Sequence, residues 1–425
     1  MLDIKYIRDN VDAVKKAIVQ KKVNLNLDEL LGIDQQVLEL KKKLQVLQEE
    51  KNSIAKLVPK ASPTERTALI ERGKAVGQEI SKMDPEVAAR EMDLQKLLWL
   101  TPLVPASDVP VGKDDSENVE RKKSGTLPEF PFAMKDHVDV ILKNNWAEFE
   151  RMAAVAGSRM LALKNELALY EFAVIRYALD LLMKKGSQVI TVPAMVREAA
   201  LFGTGHFPAG RDQVYYLPED DLYLSGTAEV PITSLHSGEI MSEAQLPMRY
   251  AGFSPCFRRE AGSTGKDVRG LMRVHQFNKV EQFVFCKNDA EESAFWHGEI
   301  LKTSEEIVQA FELPYRVIEV CTGDMGAGKY RMHDLECWVP SEKLYRETHS
   351  CSSLHDWQAR RANLRYRDSK DEKVKFIHTL NNTAVATPRI LIPLIENHQL
   401  ENGAIKIPKA LQPYMGGLDR IGGRQ

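Results

Sequence analysis

The sequence predicts an α+β fold in two parts: an N-terminal antiparallel helical hairpin, then a larger domain of strands and helices. Three observations point to it. In the first hundred positions, apolar residues recur at alternating four-three spacing; a Pro-, Ser- and Gly-rich stretch follows; beyond it, short β-like runs and amphipathic helices alternate without a regular βαβ repeat. At 425 residues the chain is too long for one compact core, and 43% hydrophobic with 28% charged residues is ordinary globular composition.

The hairpin is read from two heptad seams. The first runs Ile33, Val37, Leu40, Leu44, Leu47, Lys51, Ile54, Val58. The second runs Leu69, Gly73, Val76, Ile80, Met83, Val87, Arg90, Leu94, Leu97. Between them Leu57 to Pro63 carries two prolines and forces a turn. Pro85, after Asp84, is expected either to kink the second helix or to restart it with Asp84 as N-cap. The outer faces carry Lys41, Lys42, Lys43, Lys51, Lys56, Lys60, Arg66, Arg72 and Lys74, read first as a solvated coiled-coil surface and, more sharply, as a grip for RNA phosphates. The expected division is an arm over 1–105, a linker over 106–131 and a mixed domain over 132–425.

Composition narrows the function classes. A formal net charge of −2 means that any nucleic-acid contact must use locally concentrated basic groups. No apolar run approaches the ~20 residues of a membrane helix. The N-terminal MLDIKYIRDN lacks an apolar core and includes Asp3 and Asp9, so a cytoplasmic protein is expected. Five cysteines, Cys256, Cys286, Cys321, Cys337 and Cys351, show no CxxC spacing and read as buried reduced thiols, with no zinc site indicated. Neither a P-loop nor a Rossmann glycine fingerprint occurs, which argues against the common nucleotide folds.

In the mixed domain, Tyr170 to Lys184 reads as a helix and Val189 to Val192 as a strand ending at Pro193. Phe253 to Glu260 and Arg273 to Phe285 read as an antiparallel strand pair around a polar loop, Ala261 to Met272. Alternation puts His275, Phe277, Lys279, Glu281, Phe283 and Phe285 on one face. Ionisable groups between aromatics make a poor core and a good cleft floor; a charged surface hairpin is the other reading. Arg258 and Glu260 share a face of the first strand, where an arginine can clamp a phosphate and a glutamate can accept from an adenine amino group.

The block FRREAG, a loop, then RVHQFNKVE closely resembles motif 2 of the class II aminoacyl-tRNA synthetases, specifically the seryl-tRNA synthetases. The resemblance extends along the chain, from the opening residues and the basic hairpin, similar to that family's tRNA-binding arm, to Lys185–Pro193, which resembles motif 1 at the dimer interface. SGTAE (Ser225–Glu229) resembles the serine-binding segment, ETHSCSSLHDWQARR with NLRYR the next active-site strands, and NNTAVATPR followed by the apolar helix Ile390–Gln399 motif 3. It implies a catalytic domain built on an antiparallel sheet flanked by helices.

It also implies roles. Arg258, Glu347 and Arg389 are the catalytic set, with Arg258 on the α-phosphate and Arg389 on the γ-phosphate. The nucleotide site comprises Arg258, Arg259, Glu260, Val274, Phe277, Glu347, Thr348, His349, Ser350 and Arg389, with Phe277 stacking on adenine. The serine site comprises Thr227, Ala228, Glu229, Arg258, Glu281 and Thr383, and a helix N-cap is the competing role of Thr227. Glu347 and Ser350 offer oxygens suited to Mg²⁺ accompanying ATP. Lys266, Arg269 and Arg273 lie where the tRNA acceptor end would arrive.

The implied partners are L-serine, ATP, tRNA(Ser), with tRNA(Sec) as a second acceptor, and a second copy of the chain whose site receives the tRNA held by the first copy's arm. Asn382, Thr383, Ala384 and Pro388 stand where relatives often carry Gly and Ser, and His349 where a small residue is expected. Two other readings are a non-catalytic tRNA-binding paralogue, which would tolerate loss of Arg258, Glu281, Glu347 or Arg389, and a carrier-protein aminoacylating relative, which would lack the arm.

Overall fold

A computed structural model describes residues 1–262 and 270–423 and divides into two compact units, one ending at Thr101 and one beginning at Pro102. The first unit contains four helices: α1 (Ile4–Asp9), α2 (Val11–Gln20), α3 (Leu27–Leu57) and α4 (Pro63–Leu100). Each long helix starts where a side chain caps it. Asn26 accepts from the backbone N–H groups of Asp28 and Glu29, and Ser62 with Glu65 forms a capping box in front of α4. Helix α3 thus begins before the periodic run that first signals it, and α1 and α2 lie ahead of that run.

The two seams meet as their spacing requires. Ile54, Val76 and Ile80 are buried, flanked by Leu44, Leu47, Val58 and Leu69. The second helix neither stops nor restarts at Asp84–Pro85; α4 runs through it. Pro85 is exposed, so water can reach the Ser81 carbonyl that the missing N–H leaves without its helical partner. Two of the basic surface residues are tied to acids across the hairpin, Lys41 to Glu91 at 2.5 Å and Arg72 to Glu50 at 2.6 Å.

The second unit is organised by an eight-stranded sheet. In chain order its strands are β1 (Val119–Ser124), β2 (Gln188–Thr191), β3 (Met248–Phe257), β4 (Gln276–Cys286), β5 (Tyr315–Glu319), β6 (Arg331–Val339), β7 (Leu344–His355) and β8 (His378–Thr387). Their spatial order is β1-β5-β6-β7-β8-β4-β3-β2, with every pair antiparallel except β2 with β3. The segment read as linker therefore supplies an edge strand. β1 is VERKKS, mostly exposed, so no alternation of apolar residues announces it.

Helices α5 (Asn165–Lys184), α7 (Ala290–Ala310) and α9 (Leu391–Asn397) bury Val174, Ile307 and Leu394 in one core with Val280 and Val385 of the sheet. On the opposite face, α6 (Glu229–Leu235) and α8 (Trp357–Ala362) pack Ile232 and Ala359 against Phe283 and Phe285. All five cysteines are buried. The proposed strand pair is present with shifted ends, because Arg258 to Glu260 turn away from the sheet and Glu260 takes a left-handed conformation with φ +50°.

Ile54→Ala should loosen the hairpin by about 2–5 kcal/mol. Hydrogen exchange would then quicken around residues 44–80, where these side chains meet, and stay unchanged in the second unit.

Candidate active site

The site lies on the α6–α8 side of the sheet, where three adjacent strands turn polar side chains into one cavity of about 250 Å³. Period-two alternation brings Phe277, Lys279 and Glu281 of β4 to this face. Thr383 of β8 sits opposite Glu281, and Asn381 opposite both Phe283 of β4 and Ser352 of β7. Ser350 and Glu347 continue the floor on β7. The other face of the same strands is committed to packing: Gln282 and Asn382 both donate to the Ile300 carbonyl and the Ser304 hydroxyl of α7.

The wall opposite the floor is α6 and the turn before it. Gly252 pairs with Glu281 in the ladder, and a Cβ there would come within 2.4 Å of Ile232, so glycine is what lets α6 settle onto the sheet. Thr227 and Glu229 are thereby brought over the floor. The Thr227 hydroxyl accepts from the Glu229 backbone N–H at 3.2 Å and the residue lines the cavity, while the N-cap position itself falls to Ala228. Gln358 donates to Glu229 Oε1 at 2.6 Å and accepts from Thr379 at 2.8 Å, which fixes the carboxylate's direction.

Two loop residues close the wall, and one tryptophan sets both. Gly205 (φ +84°) and Gly328 each lie against the Trp357 ring; added Cβ atoms would fall 2.3 Å and 2.6 Å from it. The next residues, His206 and Lys329, line the cavity. The Arg361 guanidinium covers the ring at 4.0 Å from its centroid, and burial pulls that arginine down to about 9.

Charge balance inside the cavity follows from burial. Burial pushes Glu281 above the usual carboxylate range, and Lys279, whose Nζ lies 2.7 Å from Glu281 Oε2, opposes it most. Burial pushes Glu229 the same way, but Lys329, His206, the Gln358 hydrogen bond and Lys279 together outweigh it, leaving this carboxyl below its ordinary value. Burial lowers His206, and Glu229 opposes that shift. Beside Ser350, burial and then Glu347 raise Asp334 well above a normal aspartate.

At the mouth, Arg258 lies over the Phe277 ring at 5.2 Å and donates to the Gly226 carbonyl at 3.3 Å. Arg389, between β8 and α9, donates to the Glu347 carbonyl at 3.4 Å and stands 3.8 Å from its carboxylate. Glu260, Arg273 and Val274 complete the rim, with Arg273 3.7 Å from Glu260. Two arginines facing an aromatic plate can hold a polyphosphate beside a base. Among the described residues no group of three or more His, Cys, Asp or Glu forms a metal cage. The half-exposed Glu347 carboxylate and the Ser350 hydroxyl are hard oxygens facing the cavity, a set suited to a cation that draws its remaining ligands from phosphate and water.

Three expected site residues lie elsewhere. Ala228 is fully buried in the apolar cluster with Ile232 and Phe283. The Arg259 guanidinium lies 5.9 Å over the Tyr215 ring, away from the cavity. The His349 ring is buried on the opposite face, bonding the Ala384 carbonyl at 2.9 Å, and burial lowers it to about 4. A register shift between Val280 and Glu281 omits Ala384 from the β4–β8 pairing, which explains that histidine. Thr348 borders the cavity while its hydroxyl turns to the Leu335 carbonyl. Lys266 and Arg269 lie outside the described residues. Lys329, His206, Asn381 and Ser352 line the cavity without having been singled out in the sequence. Alternation could have found Asn381 from Thr383 and Ser352 from Ser350; nothing periodic marks His206 or Lys329.

Comparison with known proteins agrees with this geometry. Residues 1–105 match the family model "Seryl-tRNA synthetase N-terminal domain", and residues 216–398 match "tRNA synthetase class II core domain (G, H, P, S and T)". The chain is 52% identical over 422 residues to a serine–tRNA ligase of Deinococcus radiodurans, covering 99% of each chain. It superposes on the seryl-tRNA synthetase of Pyrococcus horikoshii solved with ATP, TM-score 0.93 at 38% identity, with both chains fully covered. The cytoplasmic serine–tRNA ligase of Naegleria fowleri solved with AMP matches at TM-score 0.88 and 28% identity, over 100% of this chain and 99% of that one.

Gly205→Ala sets a side chain in a left-handed position against the Trp357 ring and should cost at least about 2 kcal/mol in urea unfolding. Unchanged stability would mean that Trp357 does not clamp the loop.

Proposed function

The chain belongs to the seryl-tRNA synthetase family, and we propose that its cavity joins serine to tRNA in two steps. The observation that carries this reading is the continuity of one floor: an aromatic plate with two arginines at one end, and buried carboxylates with hydroxyl-bearing residues at the other.

In the first step a serine carboxylate oxygen attacks the α-phosphorus of ATP. The bond to the bridging oxygen breaks, and pyrophosphate leaves with its electron pair. Phe277 stacks on the adenine while Glu260 and the backbone at Val274 read its edge. Arg258 neutralises the α-phosphate and orients the serine carboxylate, and Arg389 holds the γ-phosphate, so nucleophile and leaving group lie in line. Glu347 and Ser350 would hold Mg²⁺, which when bound would supply positive charge against the phosphate oxygens. Thr227, Glu229, Glu281 and Thr383 surround the amino acid; alanine would leave these buried groups unpaired, and larger residues would not fit.

In the second step the 3′-terminal ribose hydroxyl of tRNA(Ser) attacks the adenylate carbonyl, and AMP leaves. A selenocysteine tRNA is a second acceptor of the same kind. The basic hairpin holds the tRNA through its phosphates. We place the reaction in the cytoplasm, where serine, ATP and tRNA meet. We also assign the working enzyme as a homodimer: β2 ends the sheet, and Val189 with Leu169, Phe172 and Met183 of α5 expose apolar surface there and nearby in sequence. Among the described residues no helix is long and apolar enough to cross a membrane.

Amino-acid-dependent ATP–pyrophosphate exchange should respond to serine across a panel of amino acids; silence with serine, or preference for another, would sink the reading. Arg389→Ala should lower exchange by about 10²- to 10³-fold. Removing about Ile33 to Leu97 should abolish tRNA charging and spare exchange; equal loss of both would make the hairpin structural.

A further inference from the structure

Lys279 has no part in the steps above, yet it occupies the middle of the floor. It shares a strand face with Phe277 on one side and Glu281 on the other, between the base plate and the amino-acid end. Its side chain is 7% exposed and that of Glu281 3%. A surface lysine extends its ammonium to water; this one is held inside, 2.7 Å from Glu281 Oε2. The ammonium is the partner this oxygen has, and no other donor among the described residues reaches Oε2. A buried carboxylate held by one lysine thus keeps acceptor capacity on the cavity floor, opposite Thr383 and lining the same cavity as Glu229 and Thr227.

We propose that Lys279 is a positioning residue for amino-acid selection: its buried ammonium keeps the Glu281 carboxylate charged and fixed, so that Glu281 acts on the substrate only as an acceptor. This rests on the serine-activating reading above. The chemistry is a matter of polarity. An ionised carboxylate accepts hydrogen bonds and donates none, whereas the neutral acid donates one. A charged Glu281 demands a donor from the substrate, which serine supplies through both its hydroxyl and its ammonium, and an apolar side chain does not. The groups around Glu281 are Lys279 on its own strand, Glu229 on α6, and Lys329 and His206 on the two clamped loops; Arg258 lies at the mouth. The neighbouring Cys256 and Cys351 thiols are raised by burial and stay neutral. Glu229 and burial both favour the neutral acid at Glu281, and Lys279 is the largest opposing influence. Removing Lys279 shifts the balance at Glu281 further toward the neutral acid, and its charge returns as pH rises.

The test compares full-length wild type, Lys279→Met, Lys279→Arg and Glu281→Gln in ATP–pyrophosphate exchange from about pH 6 to about pH 9. Exchange by the wild type with serine checks the underlying reading; only the variant-to-wild-type ratios bear on Lys279. At neutral pH, Lys279→Met should raise the KM for serine by about 30- to 100-fold and that for ATP by less than about threefold, with weaker discrimination against alanine. Its deficit should shrink by up to about tenfold per pH unit toward the alkaline end, whereas that of Glu281→Gln should stay constant. A pH-independent deficit in Lys279→Met, a fall in kcat with serine KM unchanged, or equal loss toward serine and ATP would overturn the proposal. Should Lys279→Met melt below the assay temperature, Lys279→Arg decides. It keeps the charge with altered reach, so serine KM rises while the pH profile keeps the wild-type shape; an alkaline-shifted profile would refute it.

Discussion

Two carboxylates and two lysine ammoniums share a cavity floor and wall that water scarcely reaches, and much of the surrounding structure serves to keep them there. Glu229, Glu281 and Lys279 are all buried, and Lys329 lines the same space. Buried charges are tolerated only when each has a partner and a fixed direction, because desolvation is costly and mutual attraction offsets it only in good geometry. Here that geometry is enforced from outside the group. Gln358 aims Glu229, Thr379 aims Gln358, and the Trp357 ring presses on the glycines preceding His206 and Lys329.

The sheet makes this arrangement possible because it is antiparallel where the site lies. Strands β7, β8, β4 and β3 are neighbours, so chain segments far apart in sequence present alternate residues to one plane at close spacing. The opposite face is filled by α5, α7 and α9, which bury the intervening residues and stiffen the floor. One strand can therefore carry an aromatic plate, a lysine and a glutamate in succession without losing its core. The single register shift beside Glu281 is absorbed by His349, whose ring meets the Ala384 carbonyl. A histidine within a functional segment thereby has a structural task.

The hairpin unit works by a different economy. Its seam is narrow, and most of its side chains are solvated, so its length rests on repeated small contacts and on well-capped ends. Two basic groups are tied to acids across the pair, and others are presented to solvent on an otherwise weakly acidic chain. The helix continues through Pro85 with the interrupted hydrogen bond on an exposed face, where water can take the freed carbonyl.

The sequence by itself determined the elements whose signals are local or periodic. Heptads marked α3 and α4, prolines marked their turn, alternation put Phe277, Lys279 and Glu281 on one face, and motif order indicated the family. It did not reveal β1, whose edge position frees it from apolar alternation, or α1 and α2, which lie ahead of the heptad seams. Nor could it assign His206 and Lys329, which reach the cavity only because a tryptophan 152 and 29 residues further along packs against the glycines before them. It grouped Arg259, Ala228 and His349 with the site because chain neighbours look alike in a motif. The pleat and a one-residue register shift decided which of them face the cavity. Charge states were likewise a tertiary matter: Glu229 and Glu281 are the same residue type, and only their distances from Lys279, Lys329, Gln358 and water set them apart.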